Sequence, residues 1–170
     1  MQAIQVVTLA QYNSAMNRKL YATVSLLSDP DRRQDRGAFF GSIYATLNHL
    51  LLVDRLWFGR IVGRPSNFHS LDQELYTDFE EMRRARLEMD TQIESWAQAL
   101  TDQQLTADLI YRDMSNVESS SALWVVVTHL FNHQTHHRGQ ITTLLSQAGL
   151  DIGVTDFPWV VEGLVTRPVT

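Results

Sequence analysis

The chain has 170 residues, a formal net charge of −5 and no cysteine. This length predicts one domain over residues 1–170 with a core that needs no disulfides, and any metal site must use His, Asp or Glu. The acidic balance argues against broad nucleic-acid binding. No signal-peptide pattern opens the chain, and no apolar run approaches the roughly 18 residues of a membrane span. We therefore expect a cytoplasmic protein that binds neither nucleic acid nor membrane.

Apolar residues at steps of three and four predict a first helix over residues 7–27. The polar, proline-containing segment 28–38 is expected to be a loop. From residue 39 to residue 62 the chain is apolar on most faces of a helix, which is typical of a central helix in a bundle. His49 lies in the middle of this second helix.

The third predicted helix covers residues 72–99, and a capping box of Ser70 and Gln73 is expected at its start. Three arginines are close together on it: Arg83, Arg84 and Arg86. They could form a local basic patch, but interleaved glutamates favour a solvated helix face. A second capping pattern, Thr101 with Gln104, predicts a short helical turn.

Residues 105–119 indicate a small β-hairpin. The fourth helix is predicted over residues 121–147, with N-cap candidates in Ser119, Ser120 and Ser121 and a stop at Gly149. Near the C-terminus, residues 156–158 favour one further helical turn, and residues 167–170 are expected to fray.

Four long amphipathic segments predict an all-α four-helix bundle with, at most, one small hairpin. The segment 100–120 is too long for a tight turn, so the last link is expected to be a crossover connection. Gly139 inside the fourth helix should lie at a close helix contact, because glycine there costs about 1 kcal/mol relative to alanine. The second and fourth helices are apolar on more than one face, which predicts self-association as a homodimer.

Four of the six histidines lie within nine residues of the fourth helix. His129, His133 and His137 follow at intervals of four. On a helix each such step turns about 40° around the axis, so adjacent members share a face. Two histidines spaced this way can bind one metal ion, but a further ligand must come from elsewhere in the chain.

Two histidines lie outside this cluster, His69 in a loop and His49 in the second helix. An unpaired imidazole is costly to bury, and bundles often build metal sites from facing helices. His49 with His133 and His137 would supply three nitrogens and leave an open position, as in catalytic zinc sites. The alternatives stay open: His49 could be a hydrogen-bonded core residue, and His129 a structural one.

A water or thiol bound to such an ion would have a lowered pKa. Asp54, turned roughly 140° from His49 on the same helix, is a poor fourth ligand. The general base would then be the bound hydroxide itself, His129 or His136, and the last of these could instead face an interface. Five further residues are candidates for outer contacts to the ligands or to a substrate: Asn13, Asn17, Asn48, Asn132 and Arg138.

Residues 40–57 and 132–140 resemble the corresponding motifs of the DinB-like (YfiT-like) metalloenzymes, and the early Tyr12-Asn13 pair also fits. The resemblance implies a four-helix bundle with a three-histidine divalent metal site, often in a homodimer. It carries the ligand role onto His49, His133 and His137. It also implies thiol-dependent transferase or isomerase chemistry with bacillithiol, mycothiol or glutathione.

Three functions follow as hypotheses. The first is a metal-dependent transferase or hydrolase that acts on a small molecule, with a low-molecular-weight thiol as one candidate. The second is a metal-binding or stress-response protein without turnover, and the third is a helical dimer with structural histidines. Three imidazoles suit Zn, Ni, Cu and Fe alike. We expect a divalent ion, Zn or Ni, with Fe, Cu and Mn as alternatives.

Overall fold

The computed structural model describes residues 1–161, 163 and 164, and four long helices dominate it. In chain order the elements are α1 (Ala3–Val24), α2 (Asp29–Arg33), α3 (Ile43–Ile61), α4 (Phe79–Ala99), α5 (Asp102–Thr106), β1 (Asp108–Arg112), β2 (Glu118–Ala122), α6 (Leu123–Gln147) and α7 (Phe157–Val160). The prediction of an all-α four-helix bundle with one small hairpin is confirmed. No helix in the described part of the chain has the length and apolar character needed to cross a membrane.

The long helices do not pack in the order of the chain. Both α1 and α3 pack against α4 and α6, so α1 and α3 lie diagonally opposite, as do α4 and α6. The link from α4 to α6 therefore crosses the bundle as predicted, and the link from α1 to α3 crosses it too. Each long helix sends fully buried side chains into the centre, among them Leu20, Leu47, Met82 and Leu130.

The first half of the chain differs from the prediction at its helix ends. The first helix begins at Ala3 and not at residue 7. Its start is capped by Gln2, whose backbone N–H donates to the Gln5 side chain at 2.7 Å. The expected loop 28–38 contains the short helix α2, because Ser28 caps it and Pro30 suits its first turn.

The helix α3 begins later than residue 39. Ser42 caps it by accepting a hydrogen bond from the Ala45 backbone N–H at 3.1 Å. Gly41, just before the cap, has a φ of +76°, which breaks the helical path. Phe39 and Phe40 consequently lie outside the helix and are available to form a wall beside it.

The predicted start of the third helix at residue 72 is wrong. Asp78 caps α4 through the Glu81 backbone N–H at 2.8 Å, and the Gln73 side chain accepts from the His69 backbone instead of capping a helix. Asn48 explains the difference, because its side-chain oxygen accepts the backbone N–H groups of residues 75 and 76 at 2.9 and 3.0 Å. The segment that could have been a helical turn is thus tied to α3 as a loop.

The link between α4 and α6 is largely as predicted. Thr101 and Gln104 cap α5 reciprocally, and β1 and β2 form an antiparallel hairpin. The expected serine N-caps are wrong, because residues 119–121 lie in β2 and α6 follows Ala122 directly. The Leu123 backbone N–H donates to the Ala107 carbonyl at 2.9 Å. A backbone group next to the hairpin thus satisfies the first N–H of α6.

The C-terminal predictions have mixed outcomes. Gly149 follows α6 with a φ of +78°, and the further helical turn is α7, as expected. Gly139 does not lie at a close helix contact, because a Cβ atom there would meet nothing within 4 Å. Residues 167–170, expected to fray, lie outside the described residues.

A polar cluster lies in the centre of the bundle and draws on all four long helices. We call it the buried polar cluster; its members are Asn13, Asn17, Asp54, Arg86, Asp90, Gln134 and Arg138. Arg86 Nη1 donates to Asp54 Oδ2 at 2.6 Å, and its Nη2 lies 2.9 Å from Asp90 Oδ1. The expected solvated face is therefore wrong for Arg86, whose side chain is only 2% exposed, because two carboxylates inside the bundle pair with it.

The rest of the cluster hydrogen-bonds around this ion pair. Gln134 donates to Asp54 Oδ2 at 2.6 Å, and Asn17 donates to Asp90 at 2.9 Å. Arg138 donates to the side-chain oxygen of Asn13. Two buried cations and two buried carboxylates balance one another, which is the condition under which charge is tolerated in a core.

Candidate metal centre

Three histidine side chains meet between α3 and α6. His49 points from the middle of α3, and His133 and His137 point from successive turns of α6. His49 Nε2 lies 3.0 Å from His133 Nε2, and one nitrogen of each of the three rings lies within 4.8 Å of the others. In residues 1–161 and 163–164 this is the one group of three or more His, Asp or Glu side chains with this spacing.

Hydrogen bonds fix the orientation of two of the rings. His49 Nδ1 donates to the Leu71 carbonyl at 2.7 Å, and His137 Nδ1 donates to Gln140 Oε1 at 2.8 Å. A ring that carries its proton on Nδ1 presents a bare lone pair at Nε2. Such a partner on the second ring nitrogen is typical of metal-binding histidines.

The loop that carries Leu71 is itself anchored by the residue next to His49. Asn48 accepts from the backbone N–H groups of Leu75 and Tyr76, and its amide group donates to the Tyr76 carbonyl at 3.3 Å. Adjacent residues of α3 therefore provide a ring nitrogen and hold the loop that orients the ring. Of the five predicted outer contacts, Asn48 is the one that supports the histidine cluster in this way.

His133 has no such orienting partner. Its Nδ1 is buried and, within the described residues, has no hydrogen-bond partner, while its Nε2 faces that of His49. Burial, followed by the neighbouring histidines His137 and His49, lowers the pKa of His133 to about 3. Burial also lowers the pKa of His49 and of His137.

These observations test whether the side chains present fit a divalent ion. Three imidazoles converge, burial favours their neutral form, and two of them donate their Nδ1 proton to another group. Bare lone pairs 3.0 Å apart repel each other unless a proton or a metal ion lies between them. The donor set fits a divalent transition-metal ion.

A cleft of about 610 Å³ opens beside the cluster. His49 and His137 line it, together with Phe39, Phe40, Leu71, Asp72, His136 and Gln140. The Phe40 ring stacks on the His49 ring with centroids 3.9 Å apart, which covers one face of that imidazole. A small molecule in this cleft would therefore reach two of the three histidines.

The other histidines are outside the group of three converging nitrogens, although the rings of His129 and His136 lie beside those of His133 and His137, with centroids 5.6 and 4.8 Å apart. His129 is exposed and packs against the Trp57 ring with centroids 5.2 Å apart, and His136 is exposed at the cleft rim. His69 is exposed in the loop before α4. The residues expected to bind the ion are thus the three that meet, and their role as ligands stays a prediction.

Several functional candidates were missed or misassigned from the sequence. Asn13, Asn17 and Arg138 belong to the buried polar cluster and do not touch the three histidines, and Asn132 is exposed. The contributions of Phe40, Leu71 and Gln140 were not anticipated. Only Gln140 had a sequence signal, because it follows His137 by three positions on one helix face.

We expect the metal-free protein to lose stability as the pH falls below about 6.5. The folded state holds the three histidines neutral by burial, whereas the unfolded chain protonates them near their ordinary pKa. Unfolding then takes up protons, so the free energy of unfolding rises with pH over this range and declines as pH falls towards 3. Urea unfolding of chelator-treated protein between pH 7.5 and pH 5 measures the slope, which should correspond to about one proton or more.

The variant His133→Asn provides the control for this pH dependence. It removes the histidine with the largest lowering of pKa, so its profile should be flatter than that of the wild type. A profile that keeps its slope in the variant would show that other groups cause the acid sensitivity.

The class of this protein is a four-helix bundle in which three histidines meet between two facing helices. The DinB family model matches residues 1–164, and the chain belongs to the DinB family. It is 27% identical over 155 residues to Protein DinB of Bacillus subtilis (strain 168), across 88% of this chain and 89% of that protein.

Two solved structures share the fold. A DinB-like protein from Bacillus cereus ATCC 10987 is 20% identical and has a TM-score of 0.60, with 82% of this chain and 89% of that chain covered. YfiT from Bacillus subtilis is 14% identical and has a TM-score of 0.67, with 88% and 90% covered. The latter is described as a probable metal-dependent hydrolase with an unusual four-helix bundle topology.

Proposed function

We propose that the protein binds one divalent metal ion through His49, His133 and His137 and acts on a small molecule as a metal-dependent transferase or hydrolase. One observation carries the proposal: three imidazoles converge beside an accessible cleft, and hydrogen bonds at Nδ1 leave the Nε2 lone pairs of His49 and His137 directed away from those partners. The description of YfiT as a probable metal-dependent hydrolase supports it.

The neutral ligand set decides what chemistry is available. When bound, a divalent ion would keep its full charge among three imidazoles and would lower the pKa of a water or thiol in its open position. We expect Zn or Ni; imidazole ligands also suit Fe and Cu, whereas Mn is an alternative that these donors suit less well.

The surrounding residues contribute orientation and shielding. The Leu71 carbonyl and the Gln140 side chain hold the rings of His49 and His137, which fixes the direction of their lone pairs. Phe40 covers the His49 ring and excludes water from that side. His136, at the cleft rim and outside the triad, is placed to exchange a proton with a substrate in the cleft.

The proposal also includes a cytoplasmic location and a homodimer. Exposed apolar side chains at the start of α6, Trp124 and Val125, support self-association, being 44% and 41% exposed.

Two measurements test the proposed function. Protein purified without an affinity tag should contain about one divalent ion per chain. With cobalt in its place, the visible spectrum should change when 2-mercaptoethanol is added, because an open position admits the thiol.

Turnover separates an enzyme from a metal-binding protein without activity. We expect metal-dependent consumption of a thiol with an electrophile, or hydrolysis of an activated ester, that a chelator abolishes and added metal restores. A preparation that is free of metal, or a cobalt spectrum indifferent to the thiol, would contradict the proposal. Full metal content with no turnover of either kind would favour the non-catalytic alternative.

A further inference from the structure

The cleft beside the histidines is lined mainly by aromatic, apolar and histidine side chains, with one carboxylate. Apart from the histidines and Gln140, its walls are the apolar side chains of Phe39, Phe40 and Leu71 and the carboxylate of Asp72. Among the described residues that line it, none is lysine or arginine. A substrate that carries carboxylates or phosphates would therefore find a negative charge at the rim and no cation in the walls.

The arginine that follows His137 in the sequence does not bring a positive charge into the cleft. Arg138 follows His137 directly, but its side chain is 4% exposed and turns away into the buried polar cluster, where it donates to Asn13 and Gln134. Asp72, in contrast, is exposed at the mouth of the cleft. Apart from the proposed ion at the histidines, the charged side chain that a bound molecule meets among the described lining residues is therefore the carboxylate of Asp72.

The aromatic wall offers a free contact surface. Phe40 is occupied by its stack on His49, whereas Phe39 meets Phe40 edge to face at 4.8 Å and remains 81% exposed. An exposed aromatic face attracts flat apolar groups and also cations. Phe39 and Asp72 therefore favour the same kind of ligand, and the cleft volume of about 610 Å³ accommodates one of ordinary metabolite size.

We propose that the substrate of this site has an apolar, aromatic-sized body with no negative charge, and that a positive group on it is bound by Asp72 and Phe39. This inference rests on the proposed function, in which the reacting atom of the substrate lies towards His49 and His137. If the substrate is a thiol, we expect a neutral or cationic thiol to bind better than one with several negative charges.

Calorimetric titration of the zinc-loaded protein with three matched thiols tests the inference. The probes are benzyl mercaptan, 4-(aminomethyl)benzyl mercaptan and 4-(mercaptomethyl)benzoate, which share one body and differ in charge. We expect the cationic probe to bind about tenfold more tightly than the anionic one, with the neutral probe between them. Because the charges are exposed, the difference should shrink in about 0.5 M salt. A titration with 4-methylbenzoate reports any binding of the carboxylate to the metal itself.

Two variants assign the effect to the residues that line the cleft. Asp72→Asn should reduce the difference between the cationic and anionic probes to about twofold or less. Phe39→Ala should weaken all three probes by about two- to fivefold, because it removes the free aromatic face. Both side chains are exposed, so neither change endangers the fold. The matched controls Asp108→Asn and Trp159→Ala alter exposed residues elsewhere and should leave all three affinities unchanged.

The outcomes separate this inference from the proposed function. If the anionic probe binds as tightly as the cationic one, or if the two variants behave like their controls, the inference is wrong. If 2-mercaptoethanol alters the cobalt spectrum but none of the aromatic probes binds, the inference fails while the proposed function stands. If no thiol of any kind binds the metal-loaded protein, both are overturned.

Discussion

Replacement of Arg86 by methionine should destabilise the protein by about 3–5 kcal/mol, because Asp54 and Asp90 would lose the guanidinium that pairs with both, and Arg138 alone would remain to balance two buried carboxylates. Both carboxylates are almost completely buried, at 0% and 2% exposure, so water cannot take over the role of the guanidinium. A loss of this size is a large part of the roughly 5–15 kcal/mol that stabilises an ordinary domain. Urea unfolding of metal-free protein at pH 7.5 would measure it as a lower midpoint.

Arg84 provides the matched control. It lies on the same helix but is exposed, so Arg84→Met should change the free energy of unfolding by no more than about 0.5 kcal/mol. The double variant Asp54→Asn, Arg86→Met should recover part of the loss, since it leaves one buried cation, Arg138, to balance one buried carboxylate, Asp90. If Arg86→Met is as mild as Arg84→Met, the buried polar cluster does not stabilise the bundle.

Among single histidine replacements, removal of any one imidazole of the triad should lower metal affinity the most. In His49→Ala, His133→Ala or His137→Ala we expect affinity to fall by more than the roughly 10–100-fold that follows loss of an outer partner, since an actual ligand is lost. Competition with a fluorescent chelator measures the affinity. The gain in melting temperature on adding metal should fall in parallel, because binding to the folded state alone adds to its stability.

The remaining histidines serve as controls for this series. The variants His129→Ala, His136→Ala and His69→Ala should each keep about one ion per chain, because none of these side chains joins the converging group. Full occupancy in His49→Ala together with loss in His129→Ala would show that α6 binds the ion with a different set of ligands.

The sequence predicted those features that short-range patterns encode. Apolar periodicity revealed the four long helices, and histidines four apart on α6 must share a face. The start of α4 could not be predicted in the same way, because its position depends on hydrogen bonds that Leu75 and Tyr76 donate to Asn48, 27 and 28 positions before them in the chain. The capping box at Ser70 was a plausible local signal that a tertiary contact overrode.

Arg86 illustrates a second limit. It falls between Met82 and Met89 on the buried stripe of α4, so periodicity alone would have placed it inside. Its charge, with glutamates nearby, favoured the solvent, and the buried carboxylates of Asp54 on α3 and Asp90 on α4 reverse that preference. The roles of Phe40 and of the Leu71 carbonyl depend on loop paths, which residue types do not reveal.

The buried polar cluster and the candidate metal centre share one helix, and this has a consequence for metal exchange. Gln134 and Arg138 follow His133 and His137 directly, so the hydrogen bonds that lock α6 in the core also set the direction of both imidazoles. A slip of α6 by one residue would turn its side chains by about 100° and break the cluster. Folding itself therefore brings together the three imidazoles that would bind the proposed ion. If they bind it, we expect its uptake and release to be limited by its dehydration and its passage to the histidines, without any unfolding of the bundle.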